Sequence, residues 1–240
     1  MSAWLDPLRA ALEEATEPVE VFFRDDDAGW DDPALHALLD VFEAAEAPVD
    51  LAAIPLAVSE RLARELAARH RAAPELVRVH QHGFAHRSHE PTGRKCEFGP
   101  SRPFELQLED VVCGRSLLRR LDVELDPIFT PPWNRCTPDT ARAVRIAGLA
   151  LLSREARAEP LAVRELPVNV DWTKREALPG TLAAAVRDGK PVGVMLHHAV
   201  MGADDRARLA ELLALLDAAP GVRLATMGAL AGLDVAAPAT

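Results

Sequence analysis

Short β-rich runs alternate with stretches of helical apolar spacing along nearly the whole chain, and this alternation restricts the fold more than any other feature of the sequence. Strands are expected at 19–24, 49–54, 76–80, 127–130, 149–153, 166–170, 192–197 and 222–225. Helices are expected between them at 33–46, 59–73, 104–121, 137–147, 178–187 and 204–218, with an amphipathic helix at the N-terminus. Asp32 before Pro33 and Thr137 before Pro138 read as helix caps followed by proline at the first helical position. Strand–helix repetition of this kind implies a parallel sheet with right-handed crossovers. With seven or eight units in 240 residues, one closed or nearly closed barrel is the economical arrangement. A single domain over 1–240 is therefore expected, with no internal repeat and no linker. The one long irregular stretch, 87–103, reads as a lid or binding loop.

Charge and cysteine content exclude several functions. With 27 basic and 37 acidic residues the net charge is −10, which argues against nucleic acid as a partner. No apolar run approaches the ~18 residues of a membrane span. The N-terminal stretch carries acids through its apolar part, unlike a secretion signal. Three unclustered cysteines (Cys96, Cys113, Cys136) suit a reducing compartment. A cytoplasmic enzyme or binding protein for a small-molecule or saccharide partner is the resulting expectation.

In a parallel barrel the reactive residues sit where strands end. Two polar clusters fall there. The first is Asp25-Asp26-Asp27, directly after the apolar run Val19-Glu20-Val21-Phe22-Phe23 and Arg24. Adjacent carboxylates repel one another unless a cation or hydrogen bonds offset the repulsion. The second is His80-Gln81-His82-Gly83-Phe84-Ala85-His86-Arg87-Ser88-His89, which holds four of the eight histidines. His82 and His86 are four apart, so a helical turn would bring both imidazoles to one side. Two imidazoles and one carboxylate make a three-ligand site with a position open to water, as in catalytic zinc centres.

These residues, in this order, resemble the polysaccharide deacetylase superfamily (NodB homology, carbohydrate esterase 4) over about residues 19 to 200. The resemblance implies an α/β fold, a single (β/α)7-type deacetylase barrel that is irregular or partly open. It also implies a divalent metal, Zn2+ foremost, with Co2+, Ni2+ and Mn2+ as alternatives. The family's Thr-Phe-Asp-Asp-Gly motif matches Arg24-Asp25-Asp26-Asp27-Ala28, with Asp26 as general base and Asp27 as metal ligand. A register one residue earlier, starting at Asp25, fits the same string. The His-(Ser/Thr)-x-x-His motif matches His82 to His86 as the remaining ligands. The Arg-x-Pro-x-Gly motif matches Thr130-Pro131-Pro132-Trp133-Asn134, with the Trp133 backbone N–H facing the oxyanion and Pro132 in the substrate wall. Asp171-Trp172 matches the Asp-Trp pair, and Met195-Leu196-His197 the Leu-x-His motif, with His197 as general acid.

The resemblance further implies that Asp171 raises the basicity of His197, and that Trp172 and Met195 wall the substrate. His80 would touch substrate or support a ligand from behind. Three departures stand out. Thr130 replaces the arginine that pairs with the base, leaving Arg24 and Arg135 as candidate cations. Asn134 replaces a glycine, and Gly83 replaces a hydroxyl residue. In the long loop, Arg94, Lys95 and Glu97 either clamp a charged substrate or keep a surface loop solvated. The implied reaction is metal-dependent removal of an acetyl group from an N-acetylated sugar or related amide. Hydrolysis of another C–N or O-acyl bond, and a non-catalytic carbohydrate-binding barrel, are the alternatives.

Overall fold

The computed structural model describes residues 3–233. Its eight strands are β1 (Val19–Ala28), β2 (Val49–Ala53), β3 (Val77–His82), β4 (Ile128–Thr130), β5 (Leu151–Leu152), β6 (Val170–Asp171), β7 (Val192–Leu196) and β8 (Val222–Leu224). The helices are α1 (Asp6–Glu14), α2 (Asp32–Ala44), α3 (Glu60–Ala72), α4 (Phe104–Arg120), α5 (Pro138–Ile146), α6 (Leu178–Arg187), α7 (Ala203–Ala218) and α8 (Met227–Leu230). All ladders are parallel, in the order β5-β4-β3-β2-β1-β7-β6, and β8 pairs with the start of β1. β2, β3 and β7 are buried at every residue, as strands covered on both faces must be.

The sheet curls into an irregular barrel. Its two edges are joined by the stretch 164–172. The first part of that stretch bonds to the β5 side, through Leu152 N to Arg164 O at 2.9 Å and Val168 N to Arg154 O at 2.8 Å. The last part bonds to β7, through Asn169 N to Gly193 O and Trp172 N to Met195 O, each at 3.0 Å. The strand expected at 166–170 is accordingly broken into isolated bridges and the two-residue β6. One strand cannot hold a continuous ladder while crossing from one edge to the other.

Two strands run further than the sequence suggested. β1 extends through the three aspartates to Ala28, and β3 extends through His82. A shift of register between Asp25 and Ala28 bulges β1, with Asp27 at φ 72°. Bulges re-aim side chains at strand ends, and this one lets consecutive carboxylates point to different partners. The cap of α2 is Asp31 rather than Asp32; its side chain accepts from Ala34 N at 3.3 Å. Thr137 caps α5 as expected, in a reciprocal box with Thr140.

Period-two alternation divides the strands. Val21 and Phe23 face the helices and join the main apolar core with Leu35, Leu39, Val49, Leu51 and Leu196. Phe22 faces the barrel interior with Ile128, Leu151, Val168, Met195 and Met227. A Cβ on Gly193 would lie 2.3 Å from the Phe22 ring, so only glycine there leaves Phe22 its place. Above Phe22 the interior turns polar, because Arg24 and Asp26 follow it on the same face of β1, and Arg78, His80 and His82 alternate on β3. Asp50, buried on β2 opposite Arg24, accepts from Met227 N at 2.8 Å and so ties α8 across the barrel floor. No helix among the described residues is long and apolar enough to cross a membrane.

Candidate active site

The bulge sends the three aspartates in three directions. Asp25 is fully buried and accepts from the backbone N–H of His198 at 2.9 Å and from its ring Nδ1 at 2.6 Å. Asp26 points into the barrel mouth, where the Arg24 guanidinium grips it through Nε and Nη2, each at 2.8 Å. Asp27 reaches the histidine loop. This geometry places Asp26 and Asp27 together and takes Asp25 out of reach. Burial alone would raise the Asp26 pKa, but the Arg24 charge, with His82 and His197 nearby, holds it below the usual carboxylate range.

Asp27 Oδ1 lies 3.2 Å from His82 Nε2 and 3.1 Å from His86 Nε2. It is nonetheless a buried oxygen with no well-formed hydrogen bond. Among the described residues these three side chains form the one cluster with metal-ligand spacing. Ligand atoms on a tetrahedral zinc-type ion, each about 2.0–2.1 Å from it, lie roughly 3.3 Å apart. The two Asp27–His separations therefore suit a shared divalent cation. His82 Nδ1 faces the Thr130 carbonyl at 3.0 Å, which fixes the proton there and leaves the Nε2 lone pair towards Asp27.

No helical turn joins the two histidines. The backbone between them reverses, with Gly83 at φ 55° and His86 at φ 52°. Glu97, fully buried, holds this reversal by accepting from Ala85 N at 2.7 Å, Phe84 N at 3.2 Å and Arg87 N at 3.5 Å. A Cβ on Gly83 would sit 2.2 Å from Glu97 Oε2 and 2.5 Å from Pro132 Cδ. Where the expected hydroxyl residue is missing, Glu97 and Pro132 fill the space. Glu97 is thus neither a substrate clamp nor a solvated loop residue. The loop 87–103 is not a free lid either, since Cys96–Gly99 are buried and Phe98 bridges to Cys136. Cys96, whose thiol donates to Arg135 O, has its pKa raised by burial, and burial pushes Cys136 up to about 12.

Of the two candidate cations, Arg24 and not Arg135 pairs with Asp26. It also donates to Ser153 Oγ at 2.9 Å and to Asn134 Oδ1 at 2.8 Å. Arg135 instead donates to Lys95 O at 2.9 Å. Trp133 and Asn134 are consecutive left-handed residues, at φ 57° and 56°. Asn134 N and Arg135 N bond to Pro131 O and Pro132 O, while Trp133 N–H makes no backbone hydrogen bond among the described residues. The His86 ring lies between two indoles, 4.4 Å from Trp133 and 4.7 Å from the exposed Trp30.

Several expected contacts are not made. Trp172 is 1% exposed, meets Trp4 edge-on at 6.4 Å and donates to Asp205 at 3.3 Å, so it is a core residue and not a substrate wall. Pro132 is buried against Gly83 and is equally unavailable. His80 is wholly buried, 2.8 Å from Thr130 Oγ1, and burial pushes its pKa down to about 3. It supports Thr130, and through it His82, from behind. Asp171 accepts from Thr173 N at 3.0 Å and Oγ1 at 2.6 Å and pairs with Lys174; it does not pair with His197. His197 extends from the end of β7 on the interior face, with its Nδ1 buried and unpartnered. Met195 stays at the mouth, its sulfur 3.3 Å from Arg24 Nη2 and 3.2 Å from Asn134 Nδ2.

No protein-family profile and no curated protein matches the sequence. Solved structures do. A Mycobacterium smegmatis protein assigned as a polysaccharide deacetylase superposes with a TM-score of 0.71 at 18% identity, covering 91% of this chain and 90% of its own. A Clostridium thermocellum family 4 acetyl xylan esterase, solved with a cobalt ion, gives 0.60 at 13% identity, covering 89% and 90%. A Thermococcus litoralis 4-α-glucanotransferase gives 0.63 at 11% identity over 92% of this chain but 41% of its own. The chain has the partly open (β/α)7 barrel fold of the polysaccharide deacetylases. The glucanotransferase shows that this barrel carries other chemistry too, so activity has to be argued from the site.

Proposed function

We propose that this chain is a metal-dependent hydrolase that removes an acyl group, acetyl foremost, from the nitrogen of an N-acylated sugar or related amide. The observation that carries this reading is the meeting of Asp27, His82 and His86 beside an arginine-clamped Asp26, with His197 on the same face.

Asp27, His82 and His86 would hold a divalent ion, Zn2+ or a neighbour such as Co2+. Bound there, the ion polarises the acyl oxygen and acidifies a water. The chain's own groups do the rest. Asp26 Oδ takes the proton of the attacking water, and Arg24 keeps that carboxylate ionised and aimed. The Trp133 N–H, free of other backbone partners, donates to the oxygen that gains charge at the tetrahedral stage. One such donor is worth about 3–4 kcal/mol of barrier. His197 delivers a proton to the departing nitrogen. The indoles of Trp30 and Trp133 wall the ligand histidine and exclude water from one side.

Arg24 gives Asp26 the cationic partner that Thr130 cannot supply, which favours the amide reading. Likeness to an acetyl xylan esterase keeps an O-acetyl substrate as the second reading. Acetate release from N-acetyl and O-acetyl saccharides, with and without chelator, separates the two. The proposal expects release from the N-acetyl compounds that chelator abolishes and that Asp26→Asn lowers by about 10²-fold or more. Chelator-insensitive release, or release from O-acetyl compounds alone, would overturn it.

A further inference from the structure

We propose that the saccharide taken by this site carries a negative charge, a carboxylate or a phosphate ester, next to the acylated nitrogen, and that Arg94, Lys95 and Arg135 receive it. This deepens the deacylase reading above and rests on it for the identity of the reacting bond.

The three cations adjoin the centre through a short series of contacts. The Trp133 ring packs 4.4 Å from His86, the Lys95 ammonium lies 6.0 Å over that indole, and Arg135 Nη1 donates to the Lys95 carbonyl at 2.9 Å. Beside them a hollow of about 420 Å³ is lined by Arg94, Arg135 and Asn134, the last of which binds Arg24. That volume falls in the range of small-ligand sites. A second hollow of about 220 Å³ shares Asn134 and Glu155 with the first and reaches Met195 and Arg157. The two adjoin as one groove at Asn134 and Glu155, and Asn134 links it to the buried arginine that clamps Asp26.

Most charges along this groove already have partners. Glu90 accepts from Ser101 N at 3.1 Å and Oγ at 2.7 Å. Arg154 is held by both Glu165 oxygens at 2.8 Å. Lys174 pairs with Asp171. What is left is unbalanced. Arg94, Lys95 and Arg157 make no ion pair among the described residues, and Arg135 Nε is buried without a hydrogen bond. Glu90 and Glu155 oppose them on the groove wall. In a chain of net charge −10, four cations facing two carboxylates at one mouth run against the average. A solvated surface loop accounts for Arg94, but Arg135 is half-buried and is held in place by Nη1 on the Lys95 carbonyl. A guanidinium fixed in this way binds carboxylate and phosphate alike through its N–H groups.

The test uses three saccharides of equal length: a neutral N-acetylhexosamine disaccharide, one with a carboxylate on the neighbouring ring, and one with a phosphate ester there. The metal-loaded protein is expected to show kcat/KM about tenfold or more higher for a charged compound, chiefly through KM. The advantage shrinks in high salt. Whichever charged compound wins identifies the anion. Arg94→Ala with Arg135→Ala collapses the ratio of charged to neutral substrate towards one, while Arg94→Lys with Arg135→Lys retains most of it. Equal constants for all three compounds, or a preference that survives the double alanine variant, overturn the inference. If none is hydrolysed, the deacylase reading fails by itself. Calorimetric titration of the same three compounds then decides this inference: tighter binding of a charged one sustains it and equal binding overturns it.

Discussion

Arg24 and Asp26, two residues apart on one strand, face each other through a pair of 2.8 Å hydrogen bonds inside the barrel mouth. The guanidinium is wholly buried, so its removal strips a buried carboxylate of its hydrogen-bonded arginine. Arg24→Ala is expected to cost about 3–5 kcal/mol of stability and at least about 10²-fold in kcat. Arg24→Lys loses the paired geometry and falls between the two. Chemical denaturation and steady-state kinetics read both effects.

Glu97 organises the reversal that brings His82 and His86 to one carboxylate. Without it, three backbone N–H groups, two between His82 and His86 and one just beyond, lose their acceptor. Glu97→Ala is expected to weaken Co2+ binding by about 10–100-fold, read by competition with a chromophoric chelator. Glu97→Gln, which keeps one oxygen, is expected to weaken it less. Unchanged affinity in Glu97→Ala would show that the loop holds its shape without the carboxylate.

Asp25 and His198 form a buried pair that also fixes Trp30, because His198 Nε2 donates to the Trp30 carbonyl at 2.6 Å. Burial alone would lower the imidazole pKa, but the Asp25 charge raises it from 6.5 to about 9. A raised imidazole stabilises the fold fully below the unfolded value and loses that contribution as pH climbs through the folded one. The pair is therefore expected to contribute about 3 kcal/mol near pH 6, at 1.36 kcal/mol per pH unit, declining between pH 6.5 and 9. Asp25→Asn should lower the melting temperature at pH 6 and much less at pH 10.

Asp50 shifts stability with pH in the same direction, for a different reason. Burial raises its pKa to about 8, and the neighbouring Asp126 adds to the rise against Met227 N and Arg78. A carboxyl whose folded pKa lies above its unfolded one favours the fold most at acid pH, and that advantage is lost as pH rises through the interval to about 8. Asp50→Asn still accepts from Met227 N. It is expected to flatten this slope and to raise stability at neutral pH, as measured by denaturation at a series of pH values.

The architecture was legible because burial on both faces leaves continuous apolar runs: seven expected strands exist with shifted ends, while that at 166–170 is reduced to bridges and the two-residue β6. The meeting of Asp27, His82 and His86 was legible because they sit at or just past strand ends in two dense clusters. The supporting residues were not. Glu97 lies eleven positions beyond His86 in a loop whose composition looks solvated, and only its fold-back on Gly83 makes it a buried acceptor. Trp30 and Asn134 reach the site through backbone turns with positive φ nearby, which leave no periodic trace. Arg24 did leave one. A charged residue alternating with Phe22 on an interior face needs a buried partner, and Asp26 follows at the same period. Trp172 misled for the converse reason, since an aromatic beside a strand-end aspartate reads the same whether it faces the mouth or the helices.

The account rests on one ion held by Asp27, His82 and His86, and equilibrium dialysis of the purified chain against Zn2+ tests it most directly. One equivalent bound tightly per chain, lost together in Asp27→Ala and His82→Ala and retained in Asp26→Asn, is the predicted result. Zinc bound with the same stoichiometry and affinity in the ligand variants, or none bound by the unaltered chain, would contradict it.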